Sequence, residues 1–153
     1  GTTSTFQVAE GIYRAVNAGA NVINLSLGSP GDSPILRQLI QTAAQQGVVF
    51  FSAAGNEPVT TPVYPAAYPE VIAVTAADRN GQIASYANRG AFVDIMTPGT
   101  SIVPFNGQSY LVNGTSTATA YASGIAAALA DSNRRCPPEV VPTMRAHLPV
   151  PPR

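Results

Sequence analysis

The sequence predicts an α/β fold: three layers, with a mostly parallel sheet flanked by helices. Three observations carry this. The run Val48-Val49-Phe50-Phe51-Ser52-Ala53-Ala54 is apolar without alternation, the pattern of a strand buried on both faces. Helical patterns alternate with such runs, and that alternation builds a right-handed parallel sheet. A composition of 45% hydrophobic and 10% charged residues belongs to a compact chain with a buried sheet, not to a disordered one.

Each element has a local reason. Ser4 and Gln7 stand at capping-box spacing, Val8, Ile12, Ala15 and Val16 share one helical face, and Gly19 supplies the stop. A strand from Asn21 to Leu27 follows and ends at Gly28. Ser33-Pro34 pairs an N-cap with proline at the first helical position; Leu36, Leu39, Ile40 and Ala43 face inward, and Gly47 ends that helix. The strand to Ala54 comes next, then strands Val71 to Ala77 and Phe92 to Met96, with a turn at Asn80-Gly81 between them. Asn106-Gly107, between Ile102–Phe105 and Gln108–Val112, is a hairpin signal. The small, apolar stretch from Ala118 to Ala130 reads as a buried central helix. Prolines cluster between Pro137 and Pro152, which predicts a short helix followed by extended chain.

At 153 residues the chain fits one domain, with residues 137–153 as a proline-rich tail. A net charge of zero gives no electrostatic basis for binding nucleic acid or an anionic membrane. No apolar run is long enough to span a bilayer, and no signal peptide is evident. The single cysteine, Cys136, cannot form an internal disulfide and does not decide the compartment.

Two positions carry chemistry. Ser116, in Gly114-Thr115-Ser116-Thr117-Ala118, opens the buried helix, where unpaired N–H groups favour negative charge beside its hydroxyl. Asn56 follows the break at Gly55, at the carboxyl end of a buried strand, where open α/β sheets collect their chemistry. A carboxamide N–H there suits the oxyanion of acyl transfer. As a turn residue after glycine, Asn56 needs no such role.

The ordered segments NVINLSLGSP, VVFFSAAGNE, PVYPAAYPEVIAV, FVDIMTPG and NGTSTATAYASGIAAA resemble the C-terminal part of the catalytic domain of the subtilisin-family serine proteases, the subtilases. The likeness runs from Gly1 to about Leu148. It implies that the N-terminal part of the fold is missing and that Ser116 is the nucleophile and Asn56 the oxyanion residue. Ser26, Leu27 and Gly28 would pair with an extended peptide substrate. Gly1 to Thr3 resembles the start of the opposite pairing segment. Ala53, Ala54 and Gly55 would line an apolar specificity pocket that Val63, where many members have a smaller residue, shortens.

The family orders its triad Asp, His, Ser. No Asp-Xaa-Gly after a strand and no His-Gly-Thr occurs here, and the one histidine, His147, follows the serine. It reads as a helix-end histidine, so acid and base are expected from sequence not present, and the chain alone is expected to be inactive. The open strand edge from Asn21 to Leu27 then calls for a partner: the protease's N-terminal portion or a self-associated copy. No cofactor is required. Ala66, Tyr68, Val71 and Asp94 match a loop and carboxylate that hold a weak calcium or alkali ion in the family; a loop stiffened by its prolines is the equal alternative. The resemblance also implies a secreted or extracytoplasmic home.

This chain reads GTSTATAY where the family commonly reads GTSMASPH, which changes packing behind the nucleophile. Two other functions compete. A degenerate subtilase used as a binding or scaffolding module has no chemical need for both Ser116 and Asn56. A phosphate-binding α/β domain lacks either glycine-rich fingerprint.

Overall fold

The structure, a computed structural model, describes residues 2–133 and 136–151. Helix α1 (Thr5–Asn17) leads into β1 (Val22–Leu25), α2 (Pro34–Gln45), β2 (Val49–Ala53) and β3 (Val71–Ala77). Strand β4 (Ile95–Pro98), the hairpin β5 (Thr100–Phe105) and β6 (Gln108–Asn113), and helices α3 (Thr115–Asn133) and α4 (Pro137–His147) complete the chain.

The four-stranded sheet runs β1-β2-β3-β4, with every neighbouring pair parallel. Strand pleating explains its three layers. Val49 and Phe51 turn to one face and meet Ala118, Ala122 and Ala126 of α3 and Val140 and Met144 of α4. Phe50, between them, turns to the other face and meets Ile12 of α1 and Leu36 and Ile40 of α2. Both phenylalanines are fully buried, and burial of each such side chain contributes on the order of 1.5–3 kcal/mol.

The predicted caps form. Ser4 accepts from the Gln7 N–H while the Gln7 side chain accepts from the Ser4 N–H, and Ser33 accepts from the Leu36 N–H ahead of Pro34. Asn106 and Gly107 both take positive φ (49° and 75°), which the two-residue turn between β5 and β6 requires.

One strand is displaced. The pattern from Phe92 to Met96 predicts extended chain throughout, but β4 begins at Ile95, because Val93 N–H closes a turn onto Gly90 O. Asp94 then docks sideways on β3, its N–H donating to Ala73 O and its carboxylate accepting from Ala73 N–H. The tail is more helical than extended: α4 continues through Pro142 and buries Val140 and Met144 in the core. Pro152 and Arg153 lie outside the described residues.

The two sheet edges differ. At β4, Met96 N–H donates to Pro149 O, so the C-terminal segment covers that edge. At β1, no strand among the described residues pairs with the outer side. An apolar groove of about 460 Å³ runs beside it, lined by Val8, Ile12 and Ala15 of α1 and by Ile23, Leu25 and Leu27.

Tyr68 locks the start of α2 to the loop before β3. Its buried hydroxyl lies 2.9 Å from Asp32 Oδ1 and accepts from Ser33 N–H at 3.1 Å. Burial pushes the phenol above its ordinary value, and the neighbouring Asp32 raises it further. A raised acid contributes stability that is present below the unfolded pKa, near 10, and lost as pH rises through the higher folded value. Tyr68→Phe should therefore cost roughly 1–2 kcal/mol at neutral pH and flatten the decline in stability above pH 10. Urea melts at pH 7 and above pH 10 check both halves; equal slopes with pH in the two proteins would refute the assignment.

Candidate active site

The site forms where the end of β2 meets the start of α3. After Ala53 the chain leaves the sheet through Ala54 and turns at Gly55, whose φ of 109° belongs to a region that residues with a Cβ rarely enter. Asn56 follows on the surface. On the other side Gly114 turns the chain out of β6, and Thr115 and Ser116 open α3.

Thr115 joins the two. Fully buried, it accepts from Gly55 N–H at 3.2 Å, and its hydroxyl donates to Asn56 Oδ1 at 3.1 Å. Thr115 N–H donates to the same Oδ1 at 2.9 Å. A backbone N–H can only donate, so the Asn56 oxygen must face Thr115 and its Nδ2 must face away. That Nδ2 has no acceptor among the described residues. Neither do the half-buried Ser116 hydroxyl and the Ser116 N–H, one of the first-turn donors that a helix cannot satisfy internally.

These free groups border a cleft of about 380 Å³. Ser26, Leu27 and Gly28 form one wall, Ala53, Gly55 and Asn56 another, and Val63 and Ser116 also line it. Ser26 reaches across to Ser116, its hydroxyl 3.4 Å from the Ser116 carbonyl. Val63 presses on the opposite strand end: a methyl built on Gly28 would stand 2.5 Å from Val63 Cγ1. Ser29 and Tyr64 hold that wall by exchanging two backbone hydrogen bonds of 2.8 Å.

Eight of the nine residues singled out for catalysis and substrate binding thus come together. Ala54 does not: it is fully buried and absent from the lining, since pleating turns it away from Ala53 and Gly55. Of the segment Gly1 to Thr3, Gly1 lies outside the described residues, while Thr2 and Thr3 line an adjoining cleft with Ser26 to Gly31. Thr115, Glu57 and Asn88 belong to the site without having been singled out. Glu57 follows Asn56 directly and was within reach of a local reading; Asn88, 31 residues further on, carries no local signal.

His147 is elsewhere. It ends α4, exposed, with Nδ1 2.8 Å from Thr143 O. No imidazole lines the cleft, and Glu57 is its one carboxylate among the described residues.

The candidate cation loop fits an ion poorly. Ala66, Tyr68 and Val71 are buried, but the Tyr68 carbonyl already accepts from Val71 N–H. Asp94, the one carboxylate, accepts from Ala73 N–H with Oδ2 and pairs with Arg145 at 3.1 Å through Oδ1. A cation there would meet the Arg145 guanidinium. Among the described residues no three His, Cys, Asp or Glu side chains cluster as metal ligands.

A serine at a helix start, a carboxamide with its N–H turned outward and the end of a strand thus stand around one cleft. The family follows from the whole chain: the model of the subtilase family matches residues 1–148, and the chain belongs to that family. It is 39% identical over 135 residues to Subtilisin Savinase of Lederbergia lenta, a match covering 87% of this chain and 50% of that protein. Against the M-protease of Shouchella clausii the identity is again 39%, over 87% of this chain and 36% of the relative. Among solved structures, a cold adapted subtilisin-like serine proteinase superimposes with a TM-score of 0.87 at 29% identity, covering 95% of this chain and 55% of that one. The prenylagaramide maturation protease PagA gives 0.81 at 31%, covering 89% and 53%. The chain spans half or less of the length of these two curated relatives.

Proposed function

We propose that this chain is the C-terminal portion of a subtilisin-like serine endopeptidase domain, carrying the nucleophile and the oxyanion site. The observation that supports it is the double anchorage of Asn56 Oδ1 on Thr115, which leaves Nδ2 free at the cleft that Ser116 lines. Ser116 Oγ attacks the scissile carbonyl; Asn56 Nδ2 and Ser116 N–H donate to the oxygen as it gains charge. Ser26 to Gly28 offer backbone groups to an extended peptide.

The serine proton needs an acceptor, and His147 is engaged at the far end of α4. Base and acid therefore come from the protease's N-terminal portion. The unpaired outer side of β1, with the apolar groove beside it, is where that portion docks, or failing it a second copy of this chain. No step passes through a metal ion. Family membership supports an extracytoplasmic home; no helix among the described residues is long and apolar enough to cross a membrane.

Adding the N-terminal portion of the protease to this chain should turn on peptide hydrolysis that neither part shows alone. A complex that forms without hydrolysis would instead establish the binding-module reading.

Val63 sets the size of residue accepted next to the scissile bond. It lines the cleft and stands against Gly28, and a β-branched side chain there favours small residues over Phe. In the assembled protease, Val63→Gly should raise kcat/KM for Phe over Ala peptides by about 10–200-fold, the range for one or more methylene-sized contacts. A wild-type preference for Phe would overturn this.

A further inference from the structure

Both arms of the site lean on one short segment. Asn88, 1% exposed, grips the turn that presents Asn56 from both sides: its N–H donates to Gly55 O at 2.9 Å and its Oδ1 accepts from Glu57 N–H at 2.8 Å. Asn88 is itself fixed from the sheet, its carbonyl accepting from the buried Thr75 hydroxyl at 2.5 Å. It also fills the space over the turn, since a methyl on Gly55 would come within 2.5 Å of Asn88 Nδ2.

Two residues earlier, Tyr86 does the same for the nucleophile's arm. Its hydroxyl donates to Gly99 O at 3.1 Å, and that same carbonyl accepts from Gly114 N–H at 2.9 Å. Gly99 and Gly114 are the neck of the β5–β6 hairpin, and Gly114 stands two residues before Ser116. The phenol oxygen lies so close over this neck that a methyl on Gly99 would come within 2.5 Å of it. Thr115 bridges the two arms directly, and the segment 86–88 makes a second bridge behind it.

We propose that Tyr86 and Asn88 are positioning residues that together set the separation between the Ser116 hydroxyl and the Asn56 carboxamide. The inference deepens the protease reading and, for its catalytic consequence, rests on it. Neither side chain touches the reacting atoms. Each fixes a backbone turn that carries one of them, and both are fixed to each other through Ala87, itself fully buried. Misplacement of a reacting group by about 1 Å can cost on the order of 10²-fold in rate.

The test has two independent arms. In the chain alone, amide hydrogen exchange followed by NMR should show Glu57 N–H exchanging at least tenfold faster in Asn88→Ala, with protection restored in Asn88→Asp, which keeps an acceptor at the same place. Tyr86→Phe, which removes only the hydroxyl, should do the same at Gly114 N–H and leave Glu57 unchanged. In the assembled protease, Asn88→Ala and Tyr86→Phe should each lower kcat by tenfold or more at nearly constant KM. A general loss of packing would instead lower the melting temperature without this split. Unchanged exchange at Glu57 and Gly114 overturns the brace, and changed exchange with unchanged kcat overturns its catalytic role. If the wild-type assembly proves inactive, the protease reading fails while the exchange arm still decides the brace.

Discussion

Ser116→Ala should reduce peptide hydrolysis by the assembled protease by roughly six orders of magnitude in kcat, the loss measured when a subtilisin, a relative, is stripped of its own nucleophile. The reason lies in what remains. The alanine leaves Asn56 anchored on Thr115 and the cleft walls intact, so substrate still binds and a water can still react slowly. Such residual catalysis amounts to about 10³–10⁴ over the uncatalysed rate. The variant should fold as the wild type does, because the Ser116 side chain is half-buried and holds no partner among the described residues. Steady-state rates alongside thermal melts check this. A variant that melts normally and keeps a tenth of the wild-type rate would remove Ser116 from the chemistry.

Asn56→Ala should lower kcat by about 10²–10³ with KM little changed; this range, too, was measured for a subtilisin. The split follows from when the hydrogen bond is made. Nδ2 has no acceptor among the described residues, so it is not holding the structure together. Its contribution appears as the carbonyl oxygen becomes negative, and an interaction stronger in the transition state changes kcat. Thr115, deprived of Oδ1, would still accept from Gly55 N–H, so the turn keeps one of its ties. Kinetics on a matched set of peptides measure the effect. A rise in KM at constant kcat would make Asn56 a substrate contact only.

The places of Ser116 and Asn56 in the fold were legible in the sequence because each stands at the end of a segment that announces itself. The run from Val48 to Ala54 is too apolar to lie anywhere but mid-sheet, and Gly55 marks where it stops. The stretch from Ala118 to Ala130 reads as buried on all sides, yet α3 buries only the face of Ala118, Ala122, Ala126 and Ala130 and exposes Ala120, Tyr121, Gly124, Ala127 and Ala128; its start, where Ser116 stands, was legible all the same. The hairpin at Asn106-Gly107 was equally plain, since the turn needs positive φ at both residues. What the sequence concealed was contact between distant segments. Thr115 meets Asn56 across 59 residues, and Asn88 meets Glu57 across 31. Neither hydrogen bond leaves a trace in local composition or period. The start of β4 is hidden for a related reason: Phe92 and Val93 look like strand residues, but the turn onto Gly90 holds them back. The Asp94–Arg145 pair, which makes the cation loop a poor fit, likewise joins residues far apart in the chain.

A fluorophosphonate reacts fastest with a serine whose proton is being removed beside an oxyanion site, which makes it the most direct probe of Ser116. The chain should be treated with it alone and with the protease's N-terminal portion, and the adduct mapped by peptide mass. We expect one adduct, on Ser116, formed rapidly in the mixture and negligibly without the added portion. Labelling at any other serine, or an unlabelled Ser116 in a properly assembled mixture, would contradict the claim that this cleft is the reactive half of a serine protease.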